Sequence, residues 1–104
     1  MPGGRPVPSV PKVEPRQAEN VALGRVLRQL RKDARLTQDA LAERAEVPIT
    51  KLQRIETGDI DADWGTLRRL AYALETSLTE VFRLTEFDHA EEQQQDQGHH
   101  RRDQ

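Results

Sequence analysis

The side chains that most often carry covalent catalysis are scarce in this sequence. There is no cysteine, the only serines are Ser9 and Ser77, and all three histidines lie at or beyond residue 89. A nucleophile, a general base and a group that orients the base cannot be assembled from residues so far apart. No glycine-rich phosphate-binding loop is present either. The sequence therefore predicts that the protein is not an enzyme.

Metal and cofactor chemistry finds equally little support. His99 and His100 are adjacent, but a metal site needs at least a third protein ligand and a surrounding shell that holds the ligands in place. The absence of cysteine excludes thiolate sites and disulfides, and it suits a reducing cytoplasm. We expect no metal and no cofactor.

Polar recognition is the chemistry that the sequence does support, in the stretch ITKLQRIET. If this stretch is a helix, Leu52 and Ile55 mark its buried side. The outward positions are then Thr50, Gln53, Arg54 and Thr57, with Ile49 and Lys51 beside them. Arginine can pair with guanine, glutamine with adenine, and the methyl groups of threonine or isoleucine with a thymine methyl. A plain amphipathic helix is also polar outside, so the pattern alone leaves both interpretations open.

Helical periodicity places this stretch among five short helices, with no convincing strand. Thr37, Asp63 and Ser77 are good N-caps, Ser77 and Glu80 have the spacing of a capping box, and Gly58 suits a C-terminal stop. The predicted helices span residues 20–34, 38–45, 49–56, 64–75 and a short stretch after residue 77. We therefore expect an all-α fold, in which the second and third helices are joined by a tight turn. In that arrangement the third helix can enter the major groove of DNA.

The two ends of the chain differ from its middle. Residues 1–18 hold five of the six prolines, and residues 88–104 are rich in glutamine and charge, so we expect both to be disordered around one domain at 19–87. The net charge of −2 belongs mainly to residues 85–104, which carry six acidic and two basic side chains, whereas residues 20–84 carry ten and eleven. No apolar run approaches the roughly 20 residues of a membrane span, so a cytoplasmic protein without membrane contact is expected.

The motifs of the middle region follow a recognisable order. LR is followed by LTQ and LA, then by RIETG, then by TLRRLAYAL and SLTEVF, all within residues 23–82. In this order and spacing they resemble the lambda-repressor-like helix-turn-helix family, also called Cro-type or XRE. The resemblance implies a sequence-specific DNA-binding transcription regulator. It also favours a dimer on a two-fold symmetric operator whose half-sites lie about one helical turn apart.

The resemblance also implies roles for individual residues. Gln38, at the start of the second helix, would contact a DNA phosphate, and Lys51 would contact the backbone or a base. Ile49, Thr50 and Arg54 would occupy base-reading positions. Together with the helical wheel, this gives the base-reading residues Ile49, Thr50, Gln53 and Arg54 and the DNA-backbone residues Gln38, Lys51 and Thr57.

A structural ion pair is implied by the same resemblance, between Arg31 of the first helix and Glu56 at the end of the third. Residue spacing alone does not show such a pair. Because the pair would be largely buried, truncation of either partner would leave a charge unmatched, at a cost of roughly 3–5 kcal/mol.

Three positions depart from the family pattern. Glu46 and Glu75 stand where the family commonly has glycine, and Pro48 stands where it has a small capping residue. If the backbone is still left-handed at both glutamates, each costs on the order of 1 kcal/mol. The proline could shift the start of the third helix by about a residue.

The loop GDIDAD after the third helix is acidic, whereas the family often has basic or polar residues there. Asp63 is explained as a cap, but Asp59 and Asp61 either point away from DNA, lower nonspecific affinity, or are plain solvated acids. These two residues keep a second hypothesis open, an antitoxin or adaptor with a toxin or the transcription machinery as partner. Leu84 and Phe87 either form the dimer surface or pack on their own domain.

Overall fold

The part of the chain that the structure describes consists of five helices and contains no strand. This part is residues 15–88 of a computed structural model, with side chains described from residue 17 onward. The helices are α1 at Pro15–Asp33, α2 at Gln38–Ala45, α3 at Ile49–Thr57, α4 at Trp64–Ala73 and α5 at residues 78–88. The expected all-α class with five helices is confirmed, and the start of α3 is not shifted by Pro48.

The first helix begins five residues before the start expected from periodicity. Pro15 occupies its first position, where the fixed φ angle of proline fits a helix and its missing N–H is not needed. Ala18 and Glu19, which follow, are strong helix formers. The expected domain boundary after residue 18 therefore falls within α1, and the one after residue 87 falls within α5. Residues 1–14 and 89–104, which include His99 and His100, lie outside the described part.

Side-chain caps fix the starts of three helices as expected. Thr37 accepts a hydrogen bond from the backbone amide three residues on (3.0 Å), and Asp63 accepts one from the Thr66 amide (3.1 Å). Ser77 accepts one from the Glu80 amide at 3.0 Å. The second half of the expected capping box is replaced, because the Glu80 carboxylate accepts instead from an arginine guanidinium one turn later.

The core is formed by the inward faces of the helices. α3 packs against both α1 and α2, and α2 also packs against α4. The large apolar side chains that are fully buried are Leu27, Leu41, Leu52, Ile55, Leu70 and Val81. Because α3 lies between two neighbours on its inner side, its outer side is left exposed.

The close approach of α1 to α3 depends on Gly24. A Cβ atom built on this glycine would lie 2.5 Å from the carbonyl oxygen of Glu56, which is closer than real Cβ atoms come to backbone oxygens. The expectations from sequence did not include this contact. Gly24 therefore sets the distance between the first helix and the C-terminal turn of α3.

Each of the first four helices is followed by a residue in the left-handed conformation. These residues are Arg35 (φ 62°), Glu46 (φ 58°), Gly58 (φ 84°) and Glu75 (φ 58°). Only one of the four is glycine. The backbone at Glu46 and Glu75 is therefore left-handed, as it is at the glycines that the family commonly has there. Arg35 is a third non-glycine residue in this conformation, and the family resemblance did not indicate it. Each non-glycine residue in this conformation costs about 1 kcal/mol.

Replacing the left-handed glutamates by glycine is expected to stabilise the domain. Glu46→Gly and Glu75→Gly should each raise the free energy of unfolding by about 0.5–1 kcal/mol, since relief of strain exceeds the added entropy of the unfolded chain. Glu43→Gly is the matched control, because Glu43 is exposed inside α2, and it should lower that free energy by about 1 kcal/mol. Urea unfolding followed by circular dichroism measures all three. A loss of stability in both left-handed variants would contradict the interpretation.

Adding a single methyl group at Gly24 should separate α1 from α3. Gly24→Ala is expected to lower the free energy of unfolding by about 2 kcal/mol, because backbone atoms of α3 have to move. Gly65→Ala is the control, since the nearest atoms to its added Cβ would lie at 3.6 Å, and it should raise stability by about 0.5–1 kcal/mol. Equal effects of the two substitutions in urea unfolding would argue against the close approach.

Candidate nucleic-acid interface

The outer face of α3 presents the polar side chains expected there. Leu52 and Ile55 are buried, and Thr50, Gln53, Arg54 and Thr57 are exposed. Ile49 is only half-buried and packs against the core, so it offers less surface than the other expected base-reading residues. The turn before α3 places this face outward, because the Val47 amide donates to the carbonyl oxygen of Ala42 (2.9 Å) after the left-handed residue Glu46.

A buried, bidentate ion pair joins α1 to the end of α3. Arg31 donates from Nε to Glu56 Oε2 at 2.7 Å and from Nη2 to Glu56 Oε1 at 3.1 Å. The two side chains are 11% and 2% exposed, so little water screens the pair. Arg31 Nη1 also donates to the carbonyl oxygen of Leu36 (2.9 Å), at the segment that leads into α2. The pair implied by the family resemblance is therefore present, and it connects three parts of the domain.

Gln38 extends this cluster to the surface. Its Nε2 atom donates to Glu56 Oε1 at 2.9 Å, and its Oε1 atom lies 3.5 Å from the Nε2 donor of Gln53. Gln38 is half-buried at the first position of α2, with its amide between the ion pair and the outer face of α3. An amide nitrogen has two N–H groups, so one remains after the bond to Glu56. The geometry thus places Gln38 beside α3 without using all of its donors.

Lys51 is turned toward the start of α4. Its Nζ atom donates to Asp63 Oδ1 at 2.9 Å and to the Thr66 hydroxyl at 3.1 Å. The hydrogen bond from Lys51, together with those from the hydroxyl and amide of Thr66, holds the pKa of Asp63 well below its usual range. Asp63 therefore both caps α4 and anchors a side chain of α3. The sequence-based reasoning missed this link, since nothing in the spacing of the two residues indicates it.

The other expected contact residues differ in how their polar groups are used. Arg54 is exposed and makes no hydrogen bond or ion pair through its side chain within residues 17–88. The Thr57 hydroxyl donates to the Arg54 carbonyl oxygen within the same helix, at 3.1 Å. Asp59 and Asp61 are both exposed in the loop that follows. The guanidinium of Arg54 is thus the charged donor on this face that is left for an external acceptor.

The described residues contain neither a candidate metal site nor a candidate membrane span. Within residues 15–88, no group of three or more histidine, cysteine or acidic side chains is placed to hold a metal ion. None of the helices there is both long and apolar enough to cross a membrane.

The class of the protein follows from comparison with a known family. A family model described as a helix-turn-helix domain matches residues 22–84. The chain therefore belongs to the helix-turn-helix domain family. This domain and its regulator-like structural neighbours together support a DNA-binding transcription regulator. The resemblance to lambda-repressor-like regulators is confirmed.

Solved structures give particular relatives within this class. The chain is similar to the clp gene regulator ClgR from Corynebacterium glutamicum, with 28% identity, a TM-score of 0.73, and coverage of 76% of this chain and 84% of that one. A second ClgR structure gives a TM-score of 0.65, again at 28% identity, over 67% and 90% of the chains. The restriction-modification controller protein C.AhdI from Aeromonas hydrophila gives 0.60 at 28% identity, over 62% and 97%. No curated protein matches the sequence.

The contribution of the buried ion pair to stability can be compared with that of an exposed ion pair that has the same N···O distance. Arg31→Met or Glu56→Met should each lower the free energy of unfolding by roughly 3–5 kcal/mol, because one buried charge is left without its partner. The double variant should lose clearly less than the sum of the two. Arg83 and Glu80 also lie 2.7 Å apart but are 61% and 41% exposed, so removing either should cost under about 1 kcal/mol.

Urea unfolding of the two single variants, the double variant and the two controls tests this prediction. Additive losses at Arg31 and Glu56, or losses no larger than those at the exposed pair, would contradict it.

Proposed function

We propose that this protein is a sequence-specific transcription regulator of the cytoplasm that reads the major groove of DNA with α3. The observation that carries the proposal is the exposed polar face of α3, held by a buried ion pair at the end of the same helix. A reading helix must keep its side chains aligned with the base edges, and this requires that the helix is held rigidly against the rest of the domain. The similarity to ClgR, a gene regulator, and to C.AhdI, a controller protein, supports the proposal.

In this proposal four residues read bases. Arg54, whose guanidinium has no partner within residues 17–88, donates to O6 and N7 of a guanine. Gln53 reads an adenine, and its weak contact with Gln38 restricts the range of its amide. Thr50 and Ile49 contact thymine methyl groups, with a smaller share for Ile49 because it is half-buried.

Three residues are assigned to the DNA backbone. Gln38 donates its remaining N–H to a phosphate oxygen while Glu56 holds the other. Lys51 contributes less to DNA binding than Gln38, because its Nζ atom has to leave the Asp63 carboxylate before it can contact a phosphate. The Thr57 hydroxyl would likewise have to rotate away from a carbonyl oxygen of its own helix.

Asp59 and Asp61 are assigned a role in discrimination. They are exposed in the loop directly after α3, and carboxylates near the duplex repel phosphates of any sequence. Nonspecific affinity is then low, and tight binding depends more strongly on the contacts that α3 makes to base edges.

The protein would act as a dimer, because a single reading helix of nine residues contacts only a few base pairs. Two copies on a two-fold symmetric operator, with half-sites about one helical turn apart, double the number of bases read. This arrangement suits a domain in which each copy presents one such helix.

A second candidate function is that of an antitoxin or adaptor that binds another protein. It is favoured by the surface between α2 and α4, where Tyr72 is 85% exposed beside Arg44, Arg68 and Arg69. None of these three arginines makes an ion pair within residues 17–88. The two functions are compatible, since this surface is separate from the outer face of α3. A stable complex with a protein, formed by a chain without DNA affinity, would favour the second candidate alone.

The proposed function is tested by binding to a duplex that has been selected from a random DNA pool. Arg54→Ala should remove about 1–3 kcal/mol of discrimination at one base position, whereas Gln38→Ala should weaken binding to all sequences alike. Arg68→Ala is the matched control, an exposed arginine outside the interface, and it should leave base preference unchanged.

Fluorescence anisotropy over a series of salt concentrations provides the measurement. The affinity of the wild-type chain should fall steeply as salt rises, because phosphate contacts release counterions. Binding with no sequence preference, or with no dependence on salt, would refute the proposal.

A further inference from the structure

Two adjoining hollows lie between the end of α2 and the outer side of α4, with volumes of about 390 Å³ and 730 Å³. Arg44 and Tyr72 line both hollows, which therefore form one continuous surface. We call it the α2–α4 surface. Arg68 and Arg69 line the first hollow only. None of the described residues that line either hollow belongs to α3, so this surface is free when α3 is in contact with DNA.

The composition of the α2–α4 surface is typical of a protein interface. Tyr72 is the only tyrosine of the chain, and it is 85% exposed. Arg68, Arg69 and Tyr72 fall within a sector of about 100° on the wheel of α4. Tyrosine and arginine are among the residue types that supply most of the binding energy at such interfaces. A single exposed aromatic residue is ordinary, but one bordered by three arginines has the composition of an interface centre.

The charges of the two hollows differ. The first is lined by three arginines and one glutamate, Glu46, an excess of two positive charges. None of these arginines makes an ion pair or a side-chain hydrogen bond within residues 17–88, so their guanidinium groups keep all their donors. In the second hollow Arg44 is balanced by Glu75. An external carboxylate in the first hollow would accept hydrogen bonds from the guanidinium groups and reduce their mutual repulsion.

This distribution favours a short acidic segment over a nucleic acid. A nucleic-acid strand carries a phosphate at every nucleotide, so it would meet Glu75 as well as the arginines. A protein segment can place carboxylates in the first hollow alone and an uncharged, apolar side chain beside Tyr72 in the second. We propose that the α2–α4 surface binds a segment of a partner protein in which acidic residues stand next to an apolar one. The inference rests on the second candidate function, that of an adaptor, and names the chemistry of its partner.

Peptides selected from a random library displayed on phage, with the immobilised full-length chain as the target, test this inference. The selected peptides should contain adjacent acidic residues beside an apolar or aromatic one. Fluorescence anisotropy of the labelled peptides gives their dissociation constants. Arg44→Glu and Arg68→Glu should each raise the dissociation constant at least about tenfold, because a carboxylate then opposes the acidic residues of the peptide. Tyr72→Ala should weaken binding as well.

A control and a charge exchange separate these losses from misfolding. Arg28→Glu alters an exposed arginine of α1 outside both hollows, and it should leave peptide affinity unchanged. A peptide whose acidic residues are replaced by lysine should bind the variant R44E/R68E more tightly than it binds the wild type, since each reversed charge meets its complement. Circular dichroism checks that each variant is folded.

Several outcomes would overturn the inference. A library that yields no binding peptide would do so, as would selected peptides without acidic residues, or affinities that Arg44→Glu and Arg68→Glu leave unchanged. A single-stranded oligonucleotide that binds the wild type and is lost in the same variants would make the surface a nucleic-acid site instead. Glu91 and Glu92 form an acidic pair in this chain, outside the described residues. If the variant E91Q/E92Q bound the peptides at least about tenfold more tightly, the chain itself would be the occupant.

The failure of this inference is distinguishable from that of the proposed functions. Selected peptides that lack acidic residues but need Tyr72 would keep the adaptor function and refute the acidic partner. Acidic peptides that bind a chain without specific DNA affinity would refute the DNA-binding proposal and leave this inference standing. Arg68→Glu should abolish peptide binding and leave base preference as in the wild type, because the residues assigned to base reading are unaltered.

Discussion

The buried contact between Arg31 and Glu56 is the interaction on which the arrangement of this domain depends. Its two hydrogen bonds join the last turns of α1 to the last turn of α3, and the third guanidinium nitrogen holds the segment that enters α2. Gln38 then fastens the start of α2 to the same carboxylate. A single glutamate therefore fixes the positions of the three helices that surround the proposed DNA-binding face. So poorly exposed an ion pair adds little net stability, because desolvating both charges offsets much of their attraction, whereas either charge left alone is costly.

Two other features allow the ion pair to form. Gly24 lets the backbone of α1 reach the carbonyl groups at the end of α3, which brings Arg31 within range of Glu56. At the other end of α3, Lys51 joins the helix to the capped start of α4. The proposed reading helix is thus held at both ends by polar contacts and along its inner side by Leu52 and Ile55. In a domain this small, such contacts replace the large core that a longer chain would provide.

The amino-acid sequence is informative about everything that depends on local spacing. Helical periodicity and capping residues predict α2, α3 and α4 closely, and the wheel of α3 assigns Thr50, Gln53 and Arg54 to the exposed side, where they are found. The start of α1 was placed too late, because the proline of residue 15 indicates a leader as readily as a first helical position. Contacts between distant positions behave differently, since they depend on how helices pack. The pair of Arg31 and Glu56 came only from family resemblance.

The family resemblance did not indicate the other long-range features of the domain. The bond from Lys51 to Asp63 was missed because either residue is explained by a local role. The close approach at Gly24 was missed because a glycine within a helix has no distinctive pattern around it. The left-handed backbone at Glu46 and Glu75 was anticipated from the glycines of the family, whereas Arg35, at a position where no glycine was noted, was not. Local rules thus define the helices and the candidate face, and packing decides which polar groups on that face stay available.

The central claim is that α3 lies in the major groove and reads base edges there. Methylation interference on a selected duplex tests it most directly, because guanine N7 lies in the major groove and adenine N3 in the minor groove. The account predicts that methylation of guanine N7 blocks binding within two half-sites about one helical turn apart, and that methylation of adenine N3 there has little effect. Interference confined to adenine N3, or none at guanine N7, would contradict it.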